Sequence, residues 1–212
     1  MDSEIGEQGR GRPRDPRIDL AIRSAALAVL EQSGYSQLTL EAVATQAGTN
    51  KPALRRRWRS KQHLVVDALL SRLGSAPTPD TGCTHCDLIQ GINTLSQGFN
   101  DGNLGKVLPA LVADLDNDPA LREEFFTKLF HPRRETSARA LRRGIDRGEI
   151  RPDADIELVL DLLGAPAYYR ALFGHLPLHD GLAEEVVTAV LSGVATEQWR
   201  GHHEQWSPKQ KD

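Results

Sequence analysis

The chain is short of cysteine, methionine and aromatic rings: two Cys, one Met and 5% Phe, Trp and Tyr among 212 residues. Two cysteines do not make the disulfide framework of a small secreted domain. No stretch of about 18 uninterrupted apolar residues occurs, so no membrane-spanning helix is expected. The opening residues MDSEIGEQGRGRPR lack the apolar region of a signal peptide, and a soluble cytoplasmic protein is the expectation. G-x-S-x-G, a Gly-rich phosphate loop and H-E-x-x-H are all missing, so neither catalysis nor a cofactor is expected. No run alternates convincingly with period two and no internal repeat is visible. What remains is helical periodicity, and an all-α fold.

Charge is present but unevenly placed. The formal net charge is −3, yet residues 10–72 carry 12 Lys and Arg against 5 Asp and Glu, while residues 73–212 carry 14 against 21. A basic head on an acidic body suits a protein that meets a polyanion at one end only.

Punctuation divides the chain. Residues 1–15 read as a Gly- and charge-rich arm, 16–74 as a first helical unit, 83–200 as a larger helical unit and 201–212 as a tail. Between the two units lies Gly74–Gly82, with two prolines and two glycines in nine residues. The first helix is expected near Pro16, capped by Asp15 and stopped at Gly34, and Ser60 should cap a fourth. In the second unit, Asp118-Pro119 opens a long helix expected to kink at Pro132 and to end at Gly148.

Residues 38–61, LTLEAVATQAGTNKPALRRRWRSK, are the most informative stretch. Thr39 can cap a short helix with Leu40, Val43 and Ala47 at helical spacing, and Gly48 suits the left-handed turn that ends it. Asn50 can cap a second helix, with Pro52 in its first turn where no amide donor is missed. Ala53, Leu54 and Trp58 then turn inward, leaving Lys51, Arg55, Arg56 and Arg57 available to a polyanion. Such a helix fits the major groove of DNA.

Residues 17–70 closely resemble the DNA-binding domain of the TetR family of one-component transcriptional regulators. The resemblance rests on AIRSAALAVLEQSGY, on the T-x-x-x-VA-x-x-AG run from Thr39 to Gly48, and on the passage from the recognition helix into SKQHLV. The chain departs from the family at Arg55, where an aromatic is usual, and at Arg59, where proline is common. By resemblance, Lys51, Pro52, Ala53, Arg55 and Arg56 sit where the family reads bases, and Thr39, Arg57 and Lys61 where it more often holds phosphates. Thr49 and Asn50, at the turn, belong to the same DNA-binding face.

Other stretches allow two readings. Arg10, Arg12 and Arg14 form a basic arm that either enters an A·T-rich minor groove or stays a solvated tail. Ile156–Phe173 is apolar around most of its circumference, either a central core helix or half of an interface with a second copy. The resemblance implies the interface, since the family dimerises through its last two long helices; the contact set is Leu158, Leu162, Ala165, Tyr169, Val187, Val190, Leu191 and Val194. Phe99, Leu108, Phe125, Phe126, Phe130, Tyr168 and Tyr169 either line an effector pocket or simply pack. Cys83-Thr-His-Cys86 is too incomplete for a zinc site, and no metal is expected; two ordinary thiols are the plainer reading beside a metal or redox pair.

These observations lead to an all-helical homodimer that binds double-stranded operator DNA. The resemblance implies a repressor released by an apolar or amphipathic small molecule. An activator without effector, a metal- or thiol-responsive regulator using Cys83 and Cys86, and a helical enzyme with a vestigial DNA-binding head remain as alternatives.

Overall fold

The computed structural model describes residues 15–73, 77–100, 104–197 and 199–200. Arg10, Arg12 and Arg14, the 201–212 tail and part of the expected linker lie outside the described residues. The chain folds as helices α1 (Pro16–Gln37), α2 (Leu40–Gln46), α3 (Lys51–Arg55), α4 (Lys61–Leu73), α5 (Thr84–Asn100), α6 (Leu104–Leu115), α7 (Pro119–Phe125), α8 (His131–Asp146), α9 (Ile156–Phe173) and α10 (Leu182–Val194). Among the described residues there is no strand, only one isolated bridge between Ile150 and Ala195.

Local chemistry explains the boundaries. Asp15, Thr39, Asn50, Asp118 and Asp155 each accept a hydrogen bond from a first-turn amide, satisfying donors that have no intrahelical partner. Gly34, at φ 77°, breaks α1 where the spacing requires, and one further turn follows it. The expected kink at Pro132 takes a particular form: a π-helical stretch, Phe126–Phe130, separates α7 from α8. Proline lacks an N–H and crowds the carbonyl four residues back, and the wider turn absorbs that conflict.

The linker divides the chain in sequence, but the apolar core does not stop there. One buried cluster joins Ile22, Leu30, Leu54, Leu64 and Val65 of the head to Val107, Leu111 and Leu115 of α6 and Leu121, Phe125 and Leu129 beyond it. Polar contacts cross the same boundary. The Tyr35 hydroxyl donates to Asp114 Oδ2 at 2.6 Å, Gln62 Nε2 donates to the same oxygen at 3.0 Å, and the His63 ring faces Glu124. A second cluster, including Leu88, Leu141, Val159, Leu163, Val187 and Leu191, holds α5, α8, α9 and α10 together.

Where α8 crosses the first turn of α5, the approach is too close for a side chain. A Cβ at Gly144 would collide with Thr84 Oγ1 and stand 3.0 Å from Ile150 Cγ1. Thr84 cannot easily retreat, because it is fully buried and Arg147 Nη2 donates to its hydroxyl at 2.8 Å. Gly144→Ala is therefore expected to destabilise the protein by about 1–3 kcal/mol. For a chain of this size the melting temperature should fall by roughly 2–4 °C per kcal/mol. An unchanged melting curve would mean that this packing relaxes freely.

Candidate functional site

The head presents α2 and α3 as a helix, a tight turn and a second helix. Gly48 takes φ 63° at the turn, and the Thr49 amide reaches back to Ala44 O at 2.9 Å. Asn50 Oδ1 accepts from the Ala53 amide at 3.0 Å, which starts α3 with Pro52 in its first turn. Leu54 is fully buried and Trp58 nearly so, with its indole N–H donating to Asp67 Oδ2 at 3.0 Å. These anchors orient a helix only five residues long.

The residues expected on the DNA-binding face divide into three groups. Asn50, Pro52, Arg55 and Arg56 are exposed. Lys51, Thr49 and Lys61 are half-buried. Lys51 pairs with Glu41, and that hydrogen bond is the main reason the Glu41 carboxyl lies below its ordinary range. Lys61 lies over the Tyr35 ring, 5.4 Å from its centroid. Thr39 is exposed; its Oγ1 accepts from the Ala42 amide at 3.1 Å, and a hydroxyl keeps one hydrogen to donate outward. Two residues depart from the open face. Ala53 is buried. The Arg57 side chain is only 11% exposed, turned in to pair with Asp19 and to donate to Ala53 O. Arg57 thus ties α3 to α1, a pairing that spacing cannot reveal because Asp19 lies 38 positions away.

The larger unit carries two neighbouring cavities, each partly open to solvent. The outer one, about 450 Å³, is lined by Leu108, Val112, Leu115, Phe125, Phe126, Phe130, Tyr168, Tyr169 and Leu172, with little polar surface. The inner one, about 340 Å³, lies against Pro77, Thr78, Gln90, Thr94, Arg133, Arg134, Ser137 and Leu163. Phe130, Ala165 and Tyr168 line both. Six of the seven expected pocket residues therefore meet at the outer cavity. Phe99 does not: it is buried with Leu108 and Ala167 and packs edge-on against Tyr168, ring centroids 5.1 Å apart.

The polar wall of the inner cavity does not follow from the aromatic pattern. Arg133 sits three positions after Phe130, which puts both on one side of the helical path and is the signal the sequence does carry. Burial holds its guanidinium below the ordinary range, with the Tyr168 phenol acting in the opposite sense. Arg134 is fixed by Glu157 and Asp161, with bonds of 2.8 and 2.6 Å. The enclosure can take an apolar body at one end and a hydrogen-bonding or acidic group at the other.

α9 has two apolar sides. Val159, Leu160, Leu163 and Ala167 face the protomer's own core, while Leu158, Leu162, Ala165, Tyr169, Leu172 and Phe173 form an exposed stripe. α10 corrects the expected contact set. Val187 and Leu191 are fully buried inside the protomer and cannot touch a second copy. Val190 and Val194 are half-buried, and the outward face of α10 carries Thr188, Ala189, Ser192 and Gly193.

No helix among the described residues is long and apolar enough to cross a membrane. No cluster of three or more His, Cys, Asp or Glu residues among them is placed to hold a metal ion.

Comparison with known proteins identifies the family. Residues 22–68 match the family described as bacterial regulatory proteins, tetR family, and residues 78–190 match the tetracyclin repressor-like C-terminal domain. The chain is 33% identical over 186 residues to the HTH-type transcriptional regulator YdeS of Bacillus subtilis (strain 168), covering 87% of this chain and 93% of that protein. It is 29% identical over 188 residues to the HTH-type transcriptional regulator AqdR of Rhodococcus erythropolis, covering 87% and 88%. Among solved structures it is similar to the TetR family transcription regulator SCO0332, with a TM-score of 0.69 and 28% identity over 85% of this chain and all of the other. A FadR from Bacillus subtilis, solved in complex with stearoyl-CoA, shares the fold at a TM-score of 0.68 and 19% identity, covering 82% and 98%. The C-terminal match alone takes in more than half of the residues, and the chain belongs to the TetR family of bacterial helix-turn-helix transcriptional regulators.

Proposed function

We propose that the protein is a homodimeric, cytoplasmic repressor that binds a palindromic operator and is released from it by an apolar or amphipathic effector. The observation that carries this reading is the exposed pair Arg55 and Arg56 on a capped, rigidly anchored α3. Arginine offers a planar fork that pairs with guanine N7 and O6 in the major groove. Lys51, Pro52 and Asn50 lie along the same helix start, while Thr39, Thr49 and Lys61 flank it at positions suited to phosphates. The basic arm residues Arg10, Arg12 and Arg14 supply further charge toward the duplex.

Two heads joined through the α9 stripe must meet successive major grooves on one face of the duplex. The half-sites should therefore lie about one helical turn apart, or a multiple of that. Selection of bound duplexes from a random pool, at near-physiological salt with competitor DNA, tests this directly. A palindromic motif is expected; binding without any motif would overturn sequence-specific regulation.

The effector has a physical route to the head. Phe125 belongs both to the outer cavity wall and to the core cluster that holds α1 and α4, and Phe126 and Phe130 pack against that cluster. An occupant that changes the packing of these rings acts on the head through side chains already in place. It must still prefer the arrangement that cannot span two half-sites, or it shifts nothing. In a thermal-shift screen of apolar and amphipathic compounds, an effector present at about 100 times its dissociation constant should add about 2.7 kcal/mol of stability. Gly164→Leu, which fills the inner cavity from a position whose added Cβ meets only the Tyr168 ring at 3.8 Å, should abolish that gain while leaving operator binding intact. An undiminished gain in the variant would show that the effector does not use the inner cavity.

A further inference from the structure

Cys83 and Cys86 stand at the start of α5, a helix of 17 residues. The Cys86 amide donates to Cys83 Sγ at 3.3 Å, so the first sulfur occupies the position of a helix cap. The Cys83 thiol in turn donates to Cys86 Sγ, and the two sulfurs are only 2.7 Å apart. A disulfide bond is about 2.05 Å long, so closing it calls for well under 1 Å of further approach. Cys86 is exposed and Cys83 half-exposed, which leaves the pair open to a small reagent from solvent.

The surroundings give the two thiols different roles. The Cys86 amide in the first turn of the helix is aimed at Cys83 Sγ, so a donor is already in place at that sulfur when it attacks. The neighbouring Arg147 guanidinium, donating to Thr84 Oγ1 at 2.8 Å, is paired with Glu149, whose Oε2 accepts from the Thr84 amide at 3.0 Å. Burial, the Cys83 sulfur and the Asp87 carboxylate all push the Cys86 thiol up, to about 11, so it stays the proton-bearing member. The intervening His85 is turned elsewhere, its Nε2 3.2 Å from Thr188 Oγ1 and its ring 6.0 Å from that of Trp199. With the histidine engaged there and no third ligand clustered nearby among the described residues, the chemistry of the pair is that of two thiols.

We propose that Cys83 and Cys86 form a redox-active dithiol, with Cys83 as the attacking sulfur and Cys86 as the resolving one. The oxidant class is a small-molecule disulfide. The Cys83 thiolate attacks one sulfur of the reagent, its S–S bond breaks and one thiolate leaves. The Cys86 thiol then gives up its proton to that thiolate or to water, attacks Cys83 Sγ and expels the second thiolate. In sum, one small disulfide is reduced to two thiols and the two protein thiols are oxidised to one intramolecular disulfide. The site is distinct from both the DNA-binding face and the cavities, and does not depend on the regulatory reading above.

The chain contains two cysteines in all, so the products are unambiguous. The full-length protein is equilibrated with glutathione and glutathione disulfide at a series of ratios, quenched with acid, alkylated and weighed intact. As the buffer becomes oxidising, both alkylation sites should disappear together, without added glutathione mass and without disulfide-linked dimers. Cys86→Ser should accumulate one glutathione on Cys83, and Cys83→Ser should react with glutathione disulfide more slowly than Cys86→Ser. Two glutathiones on the wild-type chain, unchanged double alkylation in the most oxidising buffer, or covalent dimers would each overturn the intramolecular pair. Equal rates for the two variants would overturn the assignment of roles. Melting curves of both variants, recorded alongside, establish that each is folded under the assay conditions.

Discussion

Leu162→Arg is expected to turn the proposed dimer into a monomer and to lower its affinity for a palindromic operator by about 10²–10⁴-fold, because two heads are then no longer held together. Leu162 is 49% exposed in the isolated protomer, with Leu158 and Tyr169, both more than half exposed, one turn before it and two turns after it. An arginine there is free to reach solvent in the monomer, so the helical circular dichroism should not change. In a dimer it would bring two like charges into an apolar seam without partners, a cost of several kcal/mol. Light scattering coupled to size-exclusion chromatography reads the mass, and titration of a selected operator reads the affinity. A variant that remains dimeric would place the interface elsewhere. Leu191→Ala is the contrasting substitution: it should cost about 2–5 kcal/mol of stability, as a core truncation does, and leave the oligomeric state alone.

Replacing Arg55 and Arg56 together by alanine is expected to erase sequence preference while leaving the fold untouched. Both side chains are exposed, whereas the groups that fix α3, Leu54 and Trp58, are not altered. Each bidentate arginine–guanine pair contributes about 1–3 kcal/mol of discrimination. Losing one in each of two half-sites already amounts to about 2–6 kcal/mol, so the selected operator should be bound little better than random duplex. Lys61→Ala should behave differently, weakening all sequences alike and flattening the salt dependence by about one unit for each phosphate that is no longer neutralised. Arg57→Ala separates itself from both. Its guanidinium is committed to Asp19 and the Ala53 carbonyl, so the effect should appear first in the melting temperature of the protein. If the double variant keeps its full preference, base reading lies with other residues of the face.

Much of this architecture is legible where the determining interactions are local. Asn50, Pro52 and Gly48 specify the cap, the first turn and the left-handed corner of the helix-turn-helix within a few positions of one another. Pro132 announces a break, though a sequence does not say that the break will take the form of a π-helical stretch ending at Phe130. Legibility fades once the partner is remote. Val187 and Val190 share the helical period of α10, yet which of them faces inward depends on where α5 and α9 lie. Arg133 looks like one more surface arginine in a run of charges until the fold sets it in one cavity wall with Pro77, Thr78 and Tyr168. Six of the seven aromatic and aliphatic pocket residues converge because large apolar side chains on neighbouring helices must meet somewhere. Phe99 fails to join them because Tyr168 stands between it and the cavity.

The apolar cluster that runs from Ile22 through Leu64 to Leu121 has a consequence for how the protein can be taken apart. A fragment ending at Leu73 would be stripped of Leu111, Leu115, Leu121 and Phe125 at one stroke, and would offer the apolar surface they cover to water. Such a head is not an autonomous module that can be cut out and grafted onto another sensor at the linker. It is expected to unfold together with α6 and α7 as one cooperative block, so an exchange of the proposed operator specificity is better made by substitution on the surface of α3, within the intact chain.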